Sequence, residues 1–200
     1  MAECKPCVTL IEERLKLTKS STAARVDATL YRSIVGGLRY LVHTRLDISF
    51  TVGYISHFME DPREDHWATV KRLLRYIKGT VDQGIIFPKI GGNGLQLTVF
   101  SDADMAGDID GRWSTSSMLV FLRSAPVSWL SLKQKVVALS TCKAEYVAAA
   151  IVACQAIWLR RLLDELTGTT VALTKIVIEF VETGRQLMDV LTKPLLTPNL

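Results

Sequence analysis

The feature that most limits how this chain can fold is a change in its hydrophobic period. Up to about residue 80, apolar residues recur every three to four positions; from Leu95 onward they alternate. The glycine-bearing stretches KGTVDQG (78–84) and PKIGGNG (88–94) separate the two regimes, so a boundary is expected at Pro88–Gly94. Helices should lie before it and a sheet after it.

In the first half, Asp27 stands where an N-cap belongs. Tyr31, Ile34, Val35, Leu38, Leu41 and Val42 follow at helical spacing. Asp47 is placed to cap a second helix, with Ile48, Val52, Ile55 and Met59 on its stripe. Asp61, Pro62 and Glu64 together mark a third helix start, with Asp61 as N-cap, Pro62 at the first helical position and Glu64 in the first turn. That third helix carries Trp67, Val70, Leu73, Leu74 and Ile77 on one side and Lys71, Arg72, Arg75 and Lys78 on the other. The basic side is either a solvated face or a phosphate contact. Residues 1–25 are polar, with scattered charge and no period, and are expected to be a disordered tail.

In the second half, LQLTVFSDA (95–103), MLVFLR (118–123), VSWLSL (127–132) and QKVVALS (134–140) read as strands. A long helix follows from Thr141 to about Thr167, so apolar between Ala144 and Leu159 that burial on more than one side is expected. Only about 14 residues separate Glu145 from Arg160, which is short for a membrane span, and no membrane partner is expected. KIVIEFV (175–181) reads as one more strand, placed beside 95–102, and RQLMDVLTK (185–193) as a short helix stopped by Pro194. The fold class is therefore α/β: an N-terminal helical segment, then a mixed sheet with a long central helix.

Residues 1–90 hold 14 Lys and Arg against 10 Asp and Glu, an excess compatible with a polyanionic partner. The N-terminus has no signal-peptide core, and the expectation is an intracellular protein, in cytoplasm or nucleus alike. Cys4 and Cys7 in CKPC have no second Cys/His pair at finger spacing and read as free thiols. Cys142 and Cys154 read as small core hydrophobes on the long helix.

Four carboxylates, Asp102, Asp104, Asp108 and Asp110, crowd the stretch FSDADMAGDID (100–110). A divalent cation makes such crowding tolerable, and Mg²⁺ takes oxygen ligands. Asp102, ending a strand, and Glu145, in the first turn of an apolar helix, are the candidate pair. The plain alternatives are a solvated turn for the first and a favourable helix dipole for the second.

Several blocks carry a resemblance: DATLYRSIVGGLRYLVHTRLDISFTVGYISHFMEDPREDHWATVKRLLRYIKGT, FSDADMAGDIDGRWSTSS, VSWLSLKQKVVALSTCKAEYVAAA, AIWLRRLLDEL and QLMDVLTKPL. In this order they resemble the C-terminal part of the Pol polyprotein of copia-type LTR retrotransposons in their plant forms. The resemblance implies that 26–90 is the helical connection of a reverse transcriptase and 91–200 a ribonuclease H-like domain, which cuts RNA in RNA–DNA hybrids with Mg²⁺. It assigns Asp102, Glu145 and Asp189 as catalytic and metal-binding acids, leaving Asp104, Asp108 and Asp110 to turn chemistry. The pattern breaks after the long helix. The family's DN-x-x-A acid, its helix and a KHI segment have no counterpart, Lys143 replaces an acid, and Glu179 is the one substitute on the strand that fills the gap. A degenerate ribonuclease H is implied, with Mg²⁺ binding weak or lost. The alternative is a non-catalytic module that binds hybrid or duplex nucleic acid through Arg72, Arg75, Lys78, Lys133 and Lys135.

Overall fold

The computed structural model describes residues 3–12, 15–88, 96–168 and 189–192. Helix α1 (Ala28–Leu41) begins where the sequence places it: the Asp27 carboxylate accepts the N–H groups of Thr29 at 2.8 Å and Leu30 at 3.2 Å. A 3-10 turn (Leu46–Ile48) leads directly into α2 (Ser49–Ser56), and α3 spans Glu64–Gly79. Tyr31, Val35 and Leu38 of α1, Val52 and Ile55 of α2, and Val70, Leu73 and Tyr76 of α3 close a buried core between the three helices.

Two expected caps have other work. Asp47 is buried and accepts from Arg45 Nε at 2.9 Å, Arg45 Nη2 at 2.7 Å and the Tyr76 hydroxyl at 2.9 Å. Asp61 is ion-paired with Arg25 at 3.2 Å and Arg63 at 2.7 Å, and α3 starts two residues later than expected, with Arg63 as its N-cap. There the His66 Nδ1 accepts the Arg63 N–H at 3.0 Å, which fixes the neutral tautomer with Nε2 turned to the Thr18 carbonyl at 3.1 Å. The buried side of α3 is consequently His66, Thr69, Val70, Leu73 and Tyr76, rotated from the predicted stripe.

The N-terminal segment has no helix or strand among its described residues, yet it is held in place. Leu10, Ile11 and Leu17 are buried, the Leu17 N–H reaches the Tyr54 hydroxyl at 2.8 Å, and the Cys7 N–H reaches the Arg75 carbonyl at 3.2 Å. The polar composition of this segment concealed three apolar anchors.

The sheet is a three-stranded antiparallel meander in the order β1 (Leu97–Asp104), β2 (Thr115–Leu122), β3 (Ala125–Lys133). QKVVALS is not a fourth strand. It is an irregular connection that exposes Val136, Val137 and Leu139. Helix α4 (Thr141–Thr167) is capped by the Ser140 hydroxyl and stopped by Gly168 in the left-handed region, φ 63°. It lies on β1 and β2 but buries only Ala144, Ala148 and Ala156 among its residues. Tyr146, Trp158, Leu162, Leu166 and both Cys142 and Cys154 are exposed, which corrects the expectation of burial on several sides and of core cysteines. By length and composition α4 is also the one helix among the described residues apolar enough to cross a membrane.

The opposite face of the sheet is covered by α2 and by a short helix α5 (Asp189–Thr192). Mixed α/β architecture is thus as expected: N-terminal helices, a three-stranded sheet and a long helix packed on it. The strand expected at 175–181 and the boundary expected at 88–94 lie outside, or largely outside, the described residues.

Candidate active site

Strand alternation sorts the residues of β1 between two faces. Phe100 and Asp102 share the face toward α5. The cross-strand register sets Phe100 opposite Leu119 and Trp129, and Asp102 opposite Ser117 and Ser131. The first row is the sheet's apolar core, completed by Phe121 and by Leu191 from α5. The second row is polar throughout. Thr192 Oγ1 donates to Asp102 Oδ2 at 2.6 Å, and Ser131 Oγ donates to the Leu191 carbonyl at 2.6 Å. Between them, the Ser117 hydroxyl is buried with no partner among the described residues.

Glu145 arrives from the other face. Ser140 starts α4, so Glu145 falls in its second turn and is solvent-exposed, not the buried acid that the apolar surroundings suggested. Its Oε1 accepts the Ala103 N–H at 3.3 Å, the residue next to Asp102. The start of α4 is itself fixed to the sheet by Gln134, whose side-chain amide donates to Ser116 Oγ at 2.8 Å and the Ala144 carbonyl at 2.9 Å. Asp102 and Glu145 therefore approach the end of β1 from opposite sides of the sheet, Glu145 at the Ala103 N–H and Asp102 toward α5, where Asp189 lies one turn before Thr192. The Asp189 side chain is outside the described residues.

Two carboxylates and a buried, unpartnered hydroxyl are hard oxygen donors. They are the ligand type that a small divalent ion takes, but among the described residues no three His, Cys, Asp or Glu gather as a metal site.

Two other acids of the FSDADMAGDID stretch, Asp108 and Asp110, are already engaged. Asp108 accepts the Gly111 N–H at 2.8 Å and pairs with Lys133 at 2.9 Å. Asp110 accepts from the Thr18 hydroxyl and from the Lys19 N–H at 2.8 Å, so the turn also clasps the N-terminal segment. The Thr18 hydrogen bond holds the Asp110 carboxyl below the usual range.

The five basic candidates do not share one face. Arg72 contacts Glu12 at 3.2 Å and Thr9 Oγ1 at 2.5 Å; Arg75 Nε donates to the Lys5 carbonyl at 2.9 Å, and Lys78 Nζ to the Cys4 carbonyl at 2.8 Å. These three fasten the N-terminal segment along α3. Lys133 sits on Asp108 and over the Trp113 ring, and Lys135 is exposed. Sequence reasoning missed Thr192 and the Ser117–Ser131 row. The signal available was Thr192 three positions after Asp189 in MDVLTK, one helical turn along.

Over 166 residues the chain is 45% identical to the retrovirus-related Pol polyprotein from transposon RE2 of Arabidopsis thaliana, a match that covers 83% of this chain and 11% of that protein. It is 42% identical over 173 residues to the retrovirus-related Pol polyprotein from transposon TNT 1-94 of Nicotiana tabacum, covering 83% of this chain and 13% of that one. It is also 44% identical over 130 residues to the secreted RxLR effector protein 161 of Plasmopara viticola, covering 64% of this chain and 90% of that protein. The chain spans about a tenth of the length of the Pol polyproteins that it matches. No protein-family model and no solved structure matches it.

Proposed function

We propose a function from one premise: this chain belongs to the family of copia-type retrotransposon Pol polyproteins. It is a ribonuclease H-like segment of such a polyprotein, with a reverse-transcriptase connection ahead of it, and it binds one divalent cation without turning over RNA–DNA hybrid. The observation that carries this reading is the approach of Glu145 to β1 at the residue beside Asp102. Asp102 and Glu145 would hold the ion, with Asp189 on α5 the third acid. When bound, a divalent cation there stabilises charge on the phosphodiester oxygens. A second ion needs a further acid after the long helix, and residues 166–178 contain neither Asp nor Glu.

Calorimetric titration with Mg²⁺ tests the reading. One weak site is expected, absent in Asp102→Asn and in Glu145→Gln; two tight sites in the unaltered chain would overturn it.

A second reading, a nucleic-acid-binding module without chemistry, is favoured by a groove between α1, α2 and β3. Arg39, His43, His57 and Lys133 line it with Tyr40 and Trp129, and no acid does. Salt-dependent binding of an RNA–DNA hybrid, weakened by Arg39→Glu and not by Arg72→Glu, is the result that this second reading requires.

A further inference from the structure

The polar row under α5 is costly unless it is used. Desolvating a carboxylate or a hydroxyl beside an apolar core is unfavourable without partners, and the neighbouring row of Phe100, Leu119 and Trp129 shows what this face otherwise buries. Two members of the polar row are satisfied by α5 itself, through Thr192 to Asp102 and through Ser131 to the Leu191 carbonyl. Leu191 is 0% exposed and Thr192 1%, so this short helix is seated by its apolar and its polar sides together. An ionised carboxylate can only accept, which makes the Thr192 hydroxyl the donor.

We propose that Thr192 is the positioning residue of Asp102. Its hydroxyl holds Oδ2 and leaves Oδ1 as the ligand oxygen for a divalent cation, so that seating of α5 and cation binding at Asp102 favour each other. The inference rests on the reading of Asp102 as a cation ligand. A carboxylate turns freely about its last torsion, and one fixed oxygen removes most of that freedom before the ion arrives. Hydrogen-bonding partners of ligating groups are typically worth about 10–100-fold in metal affinity. Because binding linkage is reciprocal, the ion must stabilise seated α5 by the same factor that seating strengthens the ion.

The test pairs Mg²⁺ calorimetry with hydrogen–deuterium exchange of the peptide holding residues 189–192, on the full chain. Thr192→Val keeps the volume and loses the hydroxyl; Thr192→Ser keeps the hydroxyl and loses the methyl. We expect about tenfold weaker Mg²⁺ binding in Thr192→Val and near-native binding in Thr192→Ser. Mg²⁺ should slow exchange in α5 for the unaltered chain and Thr192→Ser, and not for Thr192→Val. Should the valine variant fail to fold, Thr192→Ala against Thr192→Ser makes the same comparison, since the two differ by the hydroxyl alone. Native Mg²⁺ affinity in the valine or alanine variant overturns the inference and leaves the cation reading intact. A serine variant as weak as valine overturns it too, because packing of the methyl is then the cause. An unaltered chain that binds no Mg²⁺ removes the cation reading first and this inference with it.

Discussion

Replacing Asp47 by alanine should destabilise this chain more than most single changes. Asp47 is 4% exposed and Arg45 8%, and the carboxylate takes both an Nε and an Nη2 hydrogen bond from that guanidinium. Arg45 continues to the Thr80 carbonyl at 2.9 Å and its hydroxyl at 2.7 Å, so one ion pair joins the turn before α2 to the end of α3. Removing the carboxylate leaves a buried guanidinium without its counter-charge and strands the Tyr76 hydroxyl. A broken buried pair costs about 3–5 kcal/mol. For a chain of 150–250 residues, each kcal/mol moves the midpoint by about 2–4 °C, so a fall of roughly 6–20 °C is expected. Thermal unfolding followed by far-UV circular dichroism measures the fall, and urea unfolding the free energy. The triple replacement Arg45→Met, Asp47→Leu, Tyr76→Phe removes the guanidinium, the carboxylate and the phenol hydroxyl together, leaving only the Thr80 groups at the end of α3, and should recover most of the loss. If Asp47→Ala stays within about 1 kcal/mol of the unaltered chain, the pair is not the buried clamp described here.

Arg75→Glu should loosen the N-terminal segment, seen as faster hydrogen exchange in residues 3–12, at a stability cost of about 1 kcal/mol or less because the contact is exposed; unchanged exchange would mean that Leu10, Ile11 and Leu17 hold the segment alone. Stability should fall as pH drops through about 6.5, because burial lowers the His66 pKa from its ordinary 6.5 and the unfolded chain then binds the proton more readily. His57, lowered by burial and then by Lys133, adds in the same direction. Urea midpoints at a series of pH values should therefore rise with pH across that window, less steeply in His66→Gln, and an unchanged slope in that variant would show His66 to be silent.

What the sequence disclosed was whatever local chemistry decides. Asp27 capped α1 as its position implied, and the alternating runs became β1, β2 and β3. Features set by distant partners stayed hidden. Asp61 and Pro62 form a textual helix start, yet Arg25 and Arg63 claim Asp61 and move α3 to Glu64. The Val136–Leu139 run has strand propensity but no partner strand among the described residues. Helix α4 looked buried from its apolarity, and only the register of Ala144, Ala148 and Ala156 on the sheet shows how narrow its contact is. Asp102 and Glu145 were singled out by the sequence as a candidate pair. The contact of Glu145 with Ala103 and that of the Thr192 hydroxyl with Asp102 depend on how α4 and α5 dock, which no local pattern encodes.

Cleavage of a labelled RNA strand in an RNA–DNA hybrid, with Mg²⁺ and purified chain, tests the central claim most directly. Each 1.4 kcal/mol of lost transition-state stabilisation is about tenfold in rate, and on the proposed reading the lack of one metal-ligating acid would remove several such factors. The account predicts no cleavage above background, and recovery once a DN-x-x-A strand and its helix are inserted after Thr167. Robust Mg²⁺-dependent cleavage by the unaltered chain, abolished by Glu145→Gln, would contradict it. Loss of that cleavage in Glu179→Gln would then show which residue had taken the absent acid's place.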